Sequence, residues 1–174
     1  GNPNYLTESH PIREHRRGSF LYDKLEVERQ IHQYARQHPE SRCIILRDCT
    51  SVGPTSLNYL SSILRSRRPI RVMGYDPLMQ FIHEEDLFRA YHLVILNDAV
   101  GTYNIVGKGV VRYSEAIRQA GGRELVLPGH LLRAGTSVLF GLNLYEIPTS
   151  FLDHLKYAWV ADGTRAASEL GDLE

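Results

Sequence analysis

The sequence predicts an α/β fold, and three observations carry that expectation. Residues 42–47 (RCIILR) form a continuous apolar run with polar ends, the pattern of a strand covered on both faces of a parallel sheet. Segments of helical and strand-like patterning alternate along the chain. Only two core strands are convincing, which is thin for a helix-covered parallel sheet in a chain of 174 residues and marks part of that sheet as absent from the sequence.

Residues 1–17 are polar, hold Pro3 and Pro11, and read as a loop. Ser19 is a candidate cap for a helix over 19–37, whose stripe of Phe20, Lys24, Val27, Ile31 and Tyr34 repeats at helical spacing before Pro39 closes it. The strand at 42–47 follows, and a loop at 48–54 leads into a helix over 55–65. Short strands are expected at 69–73 and 80–82. Asp86 is a candidate cap for a helix with Leu87, Ala90, Tyr91, Val94 and Ile95 on its apolar side. Residues 102–106 read as the second core strand, 107–109 as a turn, and 114–120 as a helix ended by Gly121 and Gly122. Residues 125–127 are a brief strand, with helical stretches at 131–142, 149–157 and 164–170 and an extended piece at 159–162.

Lys plus Arg equals Asp plus Glu at 20 each, so no global field recruits nucleic acid or an anionic membrane. The clusters Arg13, Arg16, Arg17 and Arg65, Arg67, Arg68 are short and read as solvated surface rather than a phosphate-binding face. Cys43 and Cys49 fit neither a zinc site nor a redox pair, and buried free thiols in a reducing compartment are expected. Without a leader or lipidation pattern, the cytoplasm is the expected location.

No segment carries the GxGxxG turn of a dinucleotide site. Gly107-Lys108-Gly109 lies between a strand and a helix but reads as a tight turn rather than a phosphate cradle. His83, Glu84, Glu85 and Asp86 invite a metal reading, yet no second His follows at helical spacing, and acids at the positive end of a helix explain them better. Lys24 within an apolar stripe is either a snorkelling lysine or a group that meets a partner. Residues 47–54 (RDCTSVGP) leave a core strand where ligands bind in open α/β sheets.

Six segments, in order, resemble the extended short-chain dehydrogenase/reductase family, the NAD-dependent epimerases and dehydratases. Residues 2–8 (NPNYLTE) with Pro11 resemble the loop after its fourth strand, and 23–28 (DKLEVE) the helix of its YxxxK motif. Arg47 with Val52, Gly53 and Pro54 resembles its R-x(4)-YGP loop, and 80–87 (QFIHEEDL) its DFVHVDDL segment. Residues 101–105 (GTYNI) resemble its GTYNV strand, and Ala161, Asp162, Arg165, Glu169 and Gly171 its closing VDTTRLREELG.

That resemblance implies the later strands of a partial Rossmann-like parallel sheet plus a small mixed α/β substrate-binding lobe. Residues 1–54 and 80–106 would belong to the sheet with the lysine helix, and 55–79 and 107–174 mainly to the lobe. It implies NAD or NADP in the complete protein and none for this chain alone, which by itself is expected to be inactive. Lys24 would be the catalytic and ribose-holding lysine; Cys49, Thr50 and Val52 would line the cofactor, and Thr50, Thr55 and Ser56 the substrate. Partners would be an upstream cofactor-binding half or a second chain at the exposed sheet edge, and a small-molecule substrate.

Three positions depart from the family pattern. Phe20 stands at the proton-shuttling tyrosine, and Tyr22 lies about 200° away around a helix. Thr50 stands where Asn is common, and Met79 where nucleotide-sugar enzymes place an Arg for the diphosphate. Loss of the tyrosine leaves a second expectation open: a non-catalytic binding or regulatory relative.

Overall fold

A computed structural model describes residues 5–10, 21–141 and 149–171 of the protein. Ser19, Phe20, His15 and the Arg13, Arg16, Arg17 cluster lie outside those residues. The elements follow in the order α1 (Tyr22–Gln37), β1 (Ile44–Asp48), β2 (Thr50–Val52), α2 (Tyr59–Arg65), β3 (Ile70–Val72), β4 (Leu78–Met79), β5 (Phe81–His83) and α3 (Glu84–Leu96). After these come β6 (Gly101–Ile105), β7 (Val111–Arg112), α4 (Tyr113–Gln119), β8 (Leu125–Leu127), α5 (Gly129–Gly141), a 3-10 turn at Thr149–Asp153, and α6 (Thr164–Leu170).

Strand pairing is dominated by parallel ladders. β1 pairs with β6 from Ile44↔Gly101 to Asp48↔Ile105, β2 pairs with β5, and β3 with β8; among the described residues only β4 and β7 run antiparallel. Parallel partners need a crossover between them, and helices α2 and α3 provide covering layers. Two apolar cores result. Leu60, Ile63, Val72, Met79, Tyr113, Ile117 and Leu155 anchor the first. Ile82, Ala90, Tyr103, Ile105 and Leu170 anchor the second, so α6 packs with α3 and β6 rather than with α4 and α5.

Several expected boundaries move, each for a local reason. Helix α2 begins at Tyr59 instead of 55, because Asn58 and Ser61 form a reciprocal capping box. Helix α3 is capped by His83, whose ring accepts from the Glu85 amide at 3.3 Å, and not by Asp86. Its acids therefore fill the first turn. Residues 50–52, read as loop, form β2, and 149–157 holds a short 3-10 turn in place of a helix. Gly107 is fixed by close approach: a Cβ there would meet the Phe81 carbonyl oxygen at 2.0 Å.

The largest corrections concern burial. β1 is half-buried along Ile44–Arg47 rather than covered on both faces, because β6 is its one strand partner among the described residues and a cleft opens on it. No residue of α1 is buried, and Val27 (55%) and Tyr34 (49%) of its expected inward stripe are exposed. Likewise Ile95 on α3 faces outward, while Leu87, Ala90 and Val94 are buried as expected. Cys43 and Cys49 are free but half-buried, not buried.

Candidate functional site

An open cleft of about 1820 Å³ runs from α1 and the carboxyl end of β1 to the region of α5 and the segment 151–161. Its first wall rests on Arg47. That guanidinium makes paired contacts with the Glu28 carboxylate on α1, one at 3.2 Å, and donates to the Glu8 carbonyl at 3.1 Å. Glu8 in turn accepts from the Asn104 amide at 2.9 Å, and the Asn104 side chain donates to the carbonyls of Leu6 and Asp162. One arginine thus ties helix, strand and loop together. Its donors are engaged in holding the wall.

Lys24 is exposed on α1 and lines this cleft together with Cys49 and Thr50, which follow β1. Burial pushes the Cys49 thiol up to about 11, so it is a neutral thiol at physiological pH. Tyr22 is half-buried and is not among the cleft-lining residues. Phe20 lies outside the described residues.

The remaining expected site residues turn away from the cleft. Val52 pairs with His83 in the β2–β5 ladder. The Thr55 amide and hydroxyl both donate to the Glu84 carboxylate, at 3.1 and 2.9 Å. Ser56 is buried, donates to the Ser51 carbonyl at 3.0 Å, and shares a 2.7 Å hydroxyl contact with Ser51. Neither residue opens a helix. Both are consumed in shaping the loop before the Asn58 cap.

The family model for the NAD-dependent epimerase/dehydratase family matches residues 2–106, more than half of the sequence. The chain belongs to this family.

Within it, an uncharacterised protein of Mycobacterium tuberculosis (strain ATCC 25618 / H37Rv) is 29% identical over 170 residues, covering 98% of this chain and 45% of that protein. Among solved structures, the dTDP-glucose 4,6-dehydratase of Streptomyces venezuelae superposes with a TM-score of 0.67 at 16% identity, over 98% of this chain and 49% of that one. The UDP-glucose 4-epimerase of Bifidobacterium longum, solved with NAD+ and UDP, gives 0.67 at 17% identity, over 99% and 54%. The chain therefore spans about half the length of the relatives it matches. Its α/β architecture with parallel strand pairs is similar to the Rossmann-like fold of those epimerases and dehydratases.

Two features near the cleft have no local signature in the sequence. Glu84 stands among acidic neighbours in the sequence, yet it is buried and packs on Gly53, where a Cβ would meet its Cδ at 2.3 Å. The signal was the pairing of a glycine loop with a helix-start acid, which no periodicity reveals. Phe151 and His154 fall in an expected helical stretch and Trp159 in an expected extended piece. They form a stack on the cleft wall, with ring centroids 4.3 and 5.1 Å apart. Among the described residues no cluster of three His, Cys, Asp or Glu is arranged to hold a metal, and none of their helices is long and apolar enough to cross a membrane.

Proposed function

We propose that the complete protein is an NAD- or NADP-dependent, epimerase/dehydratase-like oxidoreductase or isomerase of the cytoplasm, and that this chain is its substrate-side portion. The observation that supports this most is the convergence of Lys24, Cys49 and Thr50 on one cleft at the carboxyl end of β1, the end of parallel strands where α/β proteins bind ligands. The donor set suits the nicotinamide-ribose end of a dinucleotide. The Lys24 ammonium supplies hydrogen bonds to ribose hydroxyls, and Cys49 stays an uncharged thiol beside a ring whose charge changes on reduction. Thr50 offers a hydroxyl to the substrate. Val52, Thr55 and Ser56 act behind these groups, by fixing the loop.

The cofactor supplies hydride transfer; the chain supplies binding and orientation. The glycine-rich turn for the pyrophosphate would come from an upstream half or from a second chain docked at the open edge of β1. In this division, residues 1–54 and 80–106 carry the cofactor-side sheet and 55–79 with 107–174 most of the substrate lobe. Titration of NAD and NADH into the complete protein, followed by calorimetry, tests the reading. Binding below millimolar concentration is expected, and no binding at millimolar cofactor would end it.

A second reading, a non-catalytic binding or regulatory relative, is favoured by Phe20 at the position of the proton-shuttling tyrosine. The Phe20→Tyr variant of the complete protein separates the two. If the original protein turns over a substrate and the substitution leaves its rate unchanged, the degenerate-site reading loses its support.

A further inference from the structure

Helix α1 carries Lys24, yet apolar burial does not fix where that helix lies, since none of its residues is buried. A forked ion pair crosses from α1 to the sheet. Arg47 Nε donates to both oxygens of the Glu28 carboxylate, at 3.2 and 3.3 Å, and Arg47 Nη2 donates to Oε1 as well. The Glu28 side chain is 12% exposed and that of Arg47 25%, so salt screens this pair less than a surface one. A guanidinium that engages both carboxylate oxygens fixes orientation as well as distance. His32, 3.5 Å from the same carboxylate, belongs to α1 itself and adds no tie across.

The placement of the pair links two parts of the cleft wall. Lys24 precedes Glu28 by four residues, about one helical turn, so the two project from one face of α1, and both line the cleft. At its other end the pair is held in place. Arg47 stands opposite Asn104 in the β1–β6 ladder, its Nη1 donates to the Glu8 carbonyl, and the Glu8 carboxylate accepts from the Asn104 amide. The strand end of the pair is therefore anchored, and the helix end carries the lysine. A roll or slide of α1 that opened the fork would carry Lys24 with it. A hydrogen bond from its ammonium tolerates little of that, because such bonds weaken outside about 2.7–3.2 Å.

We infer that Glu28 and Arg47 are positioning residues for the cofactor site: their ion pair sets the turn of α1 that presents Lys24 to the ribose. Both act through Lys24 rather than on the cofactor, since the donors of Arg47 are engaged by Glu28 and Glu8. This deepens the reading proposed above and rests on it for the role of Lys24.

The test is calorimetric titration of the complete protein with NAD or NADP, whichever binds, with the thermal midpoint of each variant measured beside it. Arg47→Gln and Glu28→Gln are each expected to weaken cofactor binding about threefold to tenfold. The shared direction carries the argument. Dinucleotides are anionic, so a role through charge alone would make Arg47→Gln weaken binding and Glu28→Gln strengthen it. Tighter binding by Glu28→Gln overturns the inference. Glu28→Gln combined with Lys24→Met should lose no more affinity than Lys24→Met alone, because a pair that acts by placing Lys24 then has nothing to place. Losses that add overturn it too, since they mark a general effect on the fold. Glu28→Gln keeps the side-chain shape and one acceptor oxygen, so it carries the test where Arg47→Gln does not fold. Full affinity in both pair variants, with Lys24→Met impaired, removes the positioning inference only. Full affinity in Lys24→Met, or no cofactor binding by the unaltered protein, removes the cofactor role of Lys24 and the inference with it.

Discussion

Cys49 and Gly53 flank the short strand β2 and make two sharp predictions. With its thiol pushed up to about 11, from an ordinary 9.0, Cys49 carries about a hundredfold less thiolate at neutral pH than an unperturbed cysteine. Mass-spectrometric alkylation with iodoacetamide should label it slowly in the folded protein and rapidly after denaturation. Equal rates in the two states would show that burial does not govern it. Gly53→Ala places a methyl group within 2.3 Å of Glu84 Cδ, in a loop that Arg65 also holds through the Gly53 carbonyl at 2.7 Å. Overpacking of this kind should cost about 1–3 kcal/mol in urea denaturation. Unchanged stability would mean that Glu84 has room to retreat and that the Thr55 tie is weak.

At the scale of elements, helix α6 is docked by polar contacts that depend on one carboxylate. Glu169 accepts from the Tyr103 hydroxyl at 2.6 Å and from Arg165 at 3.1 Å, while Arg165 also donates to the Thr102 carbonyl and lies over the Tyr103 ring. The tyrosine hydroxyl first, then the guanidinium, hold the Glu169 carboxyl below the usual carboxylate range. A carboxylate lowered on folding contributes stability in full above its unfolded value, and loses it as pH falls through the folded one. Protection of the α6 amides against hydrogen exchange, corrected for the intrinsic pH dependence of exchange, should therefore hold from neutral pH down to about 5 and fall below the unfolded glutamate range of about 4. Glu169→Gln should show reduced protection already at neutral pH.

This same helix was legible from sequence, as were β8 and the paired core strands near 44–48 and 101–105, because each has its pattern within a few residues. The start of α2 and the strand β2 were not, because they depend on distant partners. Asn58 also bonds the Ser51 carbonyl, and residues 50–52 become a strand only where Phe81–His83 lie alongside. The site divides in the same way. Lys24, Cys49 and Thr50, which line one cleft, are singled out by local motif order. Glu84 and the Trp159 stack are defined by contacts across the fold.

On the scale of the whole molecule, two apolar surfaces lack cover. The outer edge of β1 has no strand beside it among the described residues, and α1 turns Val27 and Tyr34 to solvent. An open parallel edge beside an uncovered helix invites pairing with another chain. The isolated 174-residue chain is expected to self-associate or to melt without cooperativity in sedimentation and calorimetric experiments. A monodisperse monomer with a single sharp transition would contradict the half-sheet picture.

The strand register carries a kinetic consequence. Ile44 pairs with Gly101, Ile70 with Leu125, Thr50 with Phe81 and Leu78 with Arg112, so no ladder among the described residues is closed by a hairpin. Each pairing must wait for a long stretch of chain to be gathered in before any ladder bond rewards it. Helices can nucleate on their own, but the sheet cannot. During synthesis β1 is made well before its partner β6 emerges, and in that interval its apolar run depends on whatever segment was made before it, or on a chaperone, to stay out of trouble.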